Sequence, residues 1–173
     1  KYRKDHPELV ALAKEFSREG LVPKERMTRR FELLSKLEMP VFLPDEKICF
    51  LRTVKEIPDC FTAEEWAEIK KKHFIHELGY MSNLSPDYEG VIRVGLLAKR
   101  EEADEYGRRV IDAILNLADR YRPRAIAEGK AQLAAVLERV PRYGAASFYE
   151  ALQFFRIIHF ALWLEGNYHN TVG

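Results

Sequence analysis

Two side chains that could act as an acid and a base, Glu165 and His169, lie four residues apart near the end of the sequence. A carboxylate and an imidazole within reach of each other are groups that general acid–base catalysis uses. No sequence feature anchors the segment that contains them, so its geometry is poorly fixed. A small independent enzyme built on this pair is therefore the weakest functional interpretation.

A metal site is suggested by His73 and His76, which are three residues apart with Glu77 beside the second. The pattern differs from H-E-x-x-H, and no third, distant ligand is evident. We therefore predict a structural role for both histidines and no metal site.

The two cysteines are the possible nucleophiles. Cys49 lies within the apolar run Ile48–Leu51, and apolar surroundings raise the pKa of a thiol. Cys60 follows Pro58 and Asp59 in a predicted loop. We predict that both thiols are inert, so that the chain contains no catalytic residue. Neither a secretory signal nor metal spacing accompanies them, which favours a reducing cytoplasm.

The net charge does not indicate a binding partner, because 28 basic residues and 27 acidic residues give a net charge of only +1. Such a balance gives no bulk field that would attract nucleic acid or an anionic membrane. Two local basic groups remain. We predict that Lys24, Arg26, Arg29 and Arg30 form a solvated helix face, and that Arg120, Arg122 and Arg124 have a structural role rather than forming an anion site.

Helix signals recur along the chain. Asp5, His6 and Pro7 predict a helix that extends to about Glu19, and Pro23 predicts the start of a second. Thr62 and Glu65 form a capping box. Further on, the sequence predicts an N-cap at Ser85 with Pro86 in the first turn, a helix over Lys99–Ala118, a kink or break at Pro123, and a resumed helix over Ile126–Val140. Between the early helices, Ile48–Leu51 is the best strand candidate in an extended segment near 40–53.

The most apolar helix is predicted to begin at Ser147, which forms a capping box with Glu150. From Ala151 to Leu164 only three polar residues interrupt the apolar run, and they recur every third position: Gln153, Arg156 and His159. Gly166 ends the helix. The run is too short for a bilayer and too apolar for a surface, so we predict the core helix of a large soluble protein.

This arrangement resembles the glycyl radical enzymes, the relatives of pyruvate formate-lyase. It consists of S-F-Y-E-A-L-Q, an apolar helix, and then E-G-N with a terminal glycine. A second match is P-D-Y-E at 86–89, followed by Gly95 and Leu96. Ser82 and Asn83 replace a usual Gly-His pair, and Arg52 stands where a glycine is usual. The resemblance begins near Met27, and in the family the final glycine is usually followed by Arg-x-Asp-Gln, which this sequence stops short of.

The resemblance implies that residues 1–173 are one mainly α fragment, the N-terminal helical part of a ten-stranded α/β barrel. In the parent protein, an activating enzyme with S-adenosylmethionine and an iron–sulfur cluster would install a glycyl radical, and a cysteine would pass it to a small-molecule substrate. Neither the glycine loop nor the cysteine setting of the family occurs in this sequence. The implied partners are the rest of the barrel, the activating enzyme and further copies in a homo-oligomer.

By the same resemblance, four residues are candidates for a substrate-pocket wall: Phe74, Ile75, Ser82 and Asn83. Asn83 could form hydrogen bonds to a substrate without titrating, or it could only support a turn. The family-motif positions are Pro86, Asp87, Tyr88, Glu89, Glu165, Gly166 and Asn167.

Two functions from different classes follow. The first is the N-terminal part of an anaerobic, cytoplasmic glycyl radical lyase, dehydratase or acyltransferase, inactive by itself. The alternative is a free-standing helical binding or assembly domain that exposes the Phe154–Trp163 surface to a partner chain.

Overall fold

The structure is a computed structural model that describes residues 2–72 and 85–166, and these form helices around one main apolar core. A 3-10 turn, Pro7–Leu9, precedes the first α-helix. The α-helices of the described part are α1 Leu12–Arg18, α2 Pro23–Leu37, α3 Ala63–Lys72, α4 Tyr88–Val94, α5 Leu96–Glu102, α6 Glu105–Ala127, α7 Ala131–Arg139 and α8 Phe148–Leu164. None of them is long and apolar enough to cross a membrane. The mainly helical character predicted from the sequence is confirmed.

The long helix α6 packs against α2, α5 and α7, and α8 packs against α2, α4, α6 and α7. One side of α8 lies in the core, where Phe154, Ile157, Phe160 and Leu164 are buried. At its start the opposite side is open, with Phe148 80% and Leu152 40% exposed. The prediction of a core helix is therefore correct for most of its length.

Both predicted capping boxes are confirmed. The Ser147 hydroxyl accepts a hydrogen bond from the Glu150 amide at 3.2 Å, and the Glu150 carboxylate accepts one from the Ala146 amide. The Thr62 hydroxyl likewise accepts from the Glu65 amide at 3.3 Å, while Glu65 accepts from the Thr62 amide at 2.9 Å. In both cases the side chains satisfy amides that a helix start leaves without partners.

Several predicted helix boundaries are wrong. The first helix is divided into the 3-10 turn and α1. The cap of α4 is Asp87 and not Ser85, because the Asp87 carboxylate accepts from the Gly90 amide at 2.8 Å, and Pro86 therefore precedes the helix. The predicted helix over Lys99–Ala118 is divided at Asp104, which caps α6 by accepting from the Gly107 amide at 2.7 Å.

Pro123 neither breaks nor ends α6, which continues to Ala127. A proline removes one backbone hydrogen bond from a helix, and here the packing of α6 on α2 and α7 holds the turns on either side of it. The chain turns instead at Gly129, whose φ of +70° is the left-handed conformation that glycine favours.

The predicted strand at Ile48–Leu51 is also wrong: the described residues contain no strand, only an isolated parallel bridge between Lys4 and Val54. The segment is extended and buried, but Phe50 has a φ of +89°, which interrupts the alternation of a strand. Its backbone groups are bonded by side chains instead of by a neighbouring strand.

Helix α8 supplies most of these side chains. The Gln153 amide group accepts from the Cys49 amide at 2.9 Å and donates to the Cys49 carbonyl at 3.4 Å. Arg156 donates to the Phe50 carbonyl at 2.6 Å, and the Tyr149 hydroxyl donates to the Lys47 carbonyl. Gln153 is fully buried, so its two bonds replace water for both backbone groups of Cys49.

The strained backbone at Phe50 places its ring at the centre of the core. The ring stacks on Tyr121 of α6 at a centroid distance of 4.1 Å and meets Phe160 of α8 edge-on at 5.5 Å. Burial of an aromatic ring between two helices supplies apolar stabilisation that offsets a positive φ. The segment therefore joins α6 to α8.

A close backbone contact fixes α4 and α5. Gly95, between the two helices, has a φ of +90°, and a Cβ there would lie 2.5 Å from the Arg142 carbonyl oxygen. A Cβ on Gly144 would lie 2.0 Å from the Arg93 carbonyl oxygen. Only glycine allows this approach at both positions, which sets α4 against the loop before α8.

The role of Gln153 can be tested by replacing it with leucine. Gln153→Leu keeps an apolar group of similar size but leaves the buried amide and carbonyl of Cys49 without partners, so the free energy of unfolding should fall by about 3 kcal/mol. Gln132→Leu, the same change at an exposed site on α7, should alter it by no more than about 0.5 kcal/mol. Urea denaturation measures both, and equal effects would contradict the assignment.

Candidate functional site

The motif residues at 86–89 are brought against the second half of α8. Tyr88 begins α4 and is buried, and its ring lies 4.7 Å from that of Phe155. Its hydroxyl is 3.5 Å from Nδ1 of His159. The Asp87 cap fixes this start, and Gly90 is required there because a Cβ would lie 2.1 Å from the Asp87 carboxylate. Pro86 is half-buried, and Glu89 is exposed in the first turn.

His159 lies in a row of aromatic rings along α8. It stacks on Phe155 at 5.8 Å and contacts Trp163 at 5.1 Å. Burial, assisted by the positive charge of Arg156, lowers the pKa of His159. Burial likewise raises the pKa of Tyr88. At neutral pH this arrangement therefore presents a neutral imidazole beside a neutral phenol, a pair that can exchange a hydrogen bond but holds no charge.

A second set of contacts holds the end of α8. The Glu165 carboxylate accepts from Arg30 of α2 at 2.9 Å, and the same guanidinium donates to the Pro58 carbonyl at 3.3 Å. Burial raises the pKa of Glu165, and Arg30 opposes that shift. Gly166 follows with a φ of +83°, which ends the helix as predicted.

The predicted solvated basic face on α2 is wrong for two of its four members. Arg26 and Arg30 are 6% and 5% exposed. Arg26 forms a bidentate pair with Glu65 at 2.8 and 2.9 Å and also donates to the carbonyls of Leu21 and Cys60. One helix turn apart, these two arginines tie α2 to α3 and to the end of α8. Lys24 and Arg29 are exposed, as predicted.

Both cysteines are free, buried thiols, which agrees with the prediction that they are inert. Burial raises the pKa of Cys60 to about 11 and raises that of Cys49 further. In the ranges 2–72 and 85–166, no group of three or more metal-binding side chains occurs.

The remaining site predictions fall outside the described residues. These are the four pocket candidates Phe74, Ile75, Ser82 and Asn83, the histidines His73, His76 and His169, and the motif residue Asn167.

A family model described as pyruvate formate lyase-like matches residues 51–173, which is most of the chain. This chain belongs to the pyruvate formate lyase-like family. The resemblance found in the motifs at 86–96 and 147–167 is thereby confirmed.

The fold of this pyruvate formate lyase-like chain is similar to that of a solved structure from Roseburia inulinivorans. The structure was determined in work on 1,2-propanediol dehydration and on the structural basis for substrate and enantiomer selectivity. The TM-score is 0.66 at 18% identity, over 95% of this chain and 32% of that one. The chain thus spans about a third of the length of that relative. No curated protein matches the sequence.

Polar residues recur every third position along α8, and this spacing was the available signal, although it does not identify their contacts. In the structure Gln153 and Arg156 bind adjacent residues of the extended segment, and His159 faces Tyr88. A step of three residues turns a helix by about 300°, so the polar side chains shift around α8 from the extended segment toward α4.

The buried pair of Arg30 and Glu165 gives a first test of this region. Arg30→Met should lower the free energy of unfolding by about 3 kcal/mol, because it leaves the largely buried Glu165 carboxylate without its partner. The double variant Arg30→Met with Glu165→Met should recover part of that loss. Arg29→Met removes an exposed arginine from the same helix and should cost less than about 1 kcal/mol. Denaturation curves that show equal losses for Arg29→Met and Arg30→Met would contradict the assignment.

The pair of Arg26 and Glu65 predicts a pH dependence. Hydrogen bonds from Arg26 lower the pKa of Glu65 to about 2 from an ordinary value of 4.5. The folded state therefore binds this proton less readily than the unfolded state, and the resulting stability is present above pH 4.5 and is lost as the pH falls toward 2. Glu65→Gln should be less stable than the unmodified chain at neutral pH and should lose less stability down to about pH 2.5.

Urea midpoints measured across this pH range provide the comparison. The matched control is Glu68→Gln, a change on the same helix at a side chain that is 62% exposed. It retains Glu65 and should follow the pH profile of the unmodified chain. A profile of Glu65→Gln that parallels this control would refute the assignment.

Proposed function

We propose that this chain is the N-terminal, mainly helical part of a glycyl radical enzyme that cleaves a C–C, C–O or C–N bond of a small metabolite. Residues 1–173 form a single unit of that protein, which works anaerobically in the cytoplasm as a homo-oligomer. Membership of the pyruvate formate lyase-like family supports this proposal, as does the fold likeness over 95% of the chain. The similar structure from Roseburia inulinivorans, which concerns dehydration of 1,2-propanediol, favours a lyase of the dehydratase kind.

The observation on which the proposal rests most is the placement of Tyr88 against α8. The family motif starts a helix whose first side chain contacts Phe155 and His159, so the motif itself lies against the aromatic row of α8. Asn83 precedes Tyr88 by five residues. We infer that Phe74, Ile75, Ser82 and Asn83 contribute to a pocket wall on that side, and that Asn83 supplies a hydrogen bond that does not depend on pH.

The residues of this chain do not fit the radical groups themselves. Both cysteines are buried among apolar side chains and lie outside the motif that surrounds the family's radical-carrying cysteine. When present in the parent protein, the glycyl radical would supply hydrogen-atom abstraction through that cysteine. We assign no chemical step to the described residues, whose role is to support the pocket, and we propose that the chain is inactive alone. An activating enzyme and the remainder of the barrel are its expected partners.

A free-standing binding or assembly domain is the second candidate. Phe148 and Leu152 favour it, because they form an open apolar surface at the start of α8. The surface predicted from the sequence, Phe154–Trp163, is unsuitable for binding a partner, since Phe154, Ile157 and Phe160 are buried within the chain itself. Any partner would have to bind the first two turns of the helix.

Solution mass and dye binding distinguish the two candidates. If the chain is part of a larger barrel, it should bind a hydrophobic-surface dye and oligomerise, because no residue in the described part of the chain covers Phe148 and Leu152. Phe148→Ser with Leu152→Ser should reduce both effects. Val10→Ser, at an apolar side chain that is 87% exposed elsewhere, is the matched control and should change neither. A chain that is monomeric by light scattering and binds no dye would instead support a self-sufficient module.

The pocket assignment is tested in the full-length protein that contains this segment. Asn83→Ala should lower kcat/KM while leaving the content of glycyl radical, measured by electron paramagnetic resonance, unchanged. Loss of the radical signal itself would point to a folding defect, and an unaltered kcat/KM would remove Asn83 from the pocket.

A further inference from the structure

A groove of about 640 Å³ runs between α2 and α6. Its polar lining comes from both helices. Glu32, Ser35 and Lys36 lie on α2, and Arg109, Asp112, Asn116 and Arg120 lie on α6. Acidic and basic side chains are therefore both present. The groove can bind an anion only if its carboxylates are paired with other residues while some of its cations are not.

Both carboxylates are already paired with arginines. Glu32 accepts from Arg109 at 2.8 and 2.7 Å, and Arg109 also binds Glu25. Asp112 accepts from Arg100 at 2.7 and 2.9 Å. Each carboxylate is thus part of a bidentate pair, the strongest geometry for such contacts. Asp112 is neutralised by Arg100, whereas Glu32 shares the charge of Arg109 with Glu25 and is neutralised only in part.

Two of the three cations that line the groove, Lys36 and Arg120, are not paired with a carboxylate in the part of the chain that the structure describes. Among the ion pairs within 2–72 and 85–166, none includes Lys36 or Arg120. Arg120 donates to the carbonyls of Lys36, at 3.1 Å, and of Ser35, which are neutral acceptors. Burial lowers the pKa of Arg120, and the nearby Tyr121 and Glu38 oppose that shift. The neighbouring arginines differ, because Arg122 pairs with Glu138 and Arg124 with Glu128.

The rest of the lining suits a ligand that accepts hydrogen bonds. Asn116 is exposed and offers an amide donor. Ser35 is 3% exposed, and its hydroxyl has no hydrogen-bond partner in the structure. A buried hydroxyl without a partner is uncommon in folded proteins and requires an explanation. The carbonyl contacts also hold the Arg120 guanidinium in place, so a ligand would not have to order it.

We propose that the groove between α2 and α6 binds a small oxyanion, a phosphate or carboxylate group, through Arg120 and Lys36. Asn116 donates a further hydrogen bond, and Ser35 is part of the lining. The proposal concerns a binding site outside the radical chemistry and does not rest on it.

Inorganic phosphate and malonate are the probes, each titrated into the chain by calorimetry at constant ionic strength with sodium chloride as the reference. Saturable binding of either probe supports the site, and the preferred probe identifies the ligand as a phosphate or a carboxylate. Thermal unfolding should shift upward with the same probe and not with chloride, since a ligand that binds only the folded state stabilises it.

Variants locate the site. Lys36→Gln changes an exposed side chain, so it should fold normally and weaken binding several-fold, while Arg120→Gln should weaken it by about tenfold or more. Arg124→Gln removes the same charge from the same helix outside the groove and should bind like the unmodified chain. The proposal is overturned if neither probe binds saturably, if Lys36→Gln retains full affinity, or if Arg124→Gln weakens binding as much as Arg120→Gln.

Discussion

The structure depends on how the buried segment 47–54 satisfies its backbone hydrogen bonds. An extended chain in an apolar core normally joins a sheet, because unpaired amides and carbonyls are costly away from water. Here no strand lies beside it in the described part of the chain. Side chains from three helices replace the missing strand: Gln153 and Arg156 of α8, Tyr121 of α6, and Glu38 at the end of α2, whose carboxylate accepts from the Thr53 and Val54 amides.

This constraint gives α8 its unusual composition. A helix that only filled a core would need no polar groups, yet three interrupt the otherwise apolar run Ala151–Leu164 of α8. Two of them fix the extended segment, the third meets Tyr88, and Glu165 at the end joins Arg30 on α2. A single helix therefore sets the positions of α2, α4 and the segment between α2 and α3. Small changes in its polar residues would be transmitted to all of these elements.

The sequence was informative wherever structure is decided locally. Capping boxes depend on residues three apart, and both were predicted correctly, as was the core character of α8. The failures involve distant partners. Arg26 and Arg30 could not be recognised as buried, because their carboxylates lie 39 and 135 residues away. Ile48–Leu51 has the composition of a strand, but side chains on distant elements, Gln153 among them, bond its backbone in place of a second strand.

The family motif at 86–89 illustrates a related point about resemblance. In the structure its members have mechanical roles: Asp87 caps α4, Tyr88 packs on α8, and Gly90 leaves room for the capping carboxylate. None of these roles involves a substrate, so the motif can match across relatives that act on different molecules. Gly95 and Gly144 extend the same argument, because their close contact fixes the direction of α4. What the resemblance transfers to this chain is therefore a scaffold whose geometry the motif residues fix.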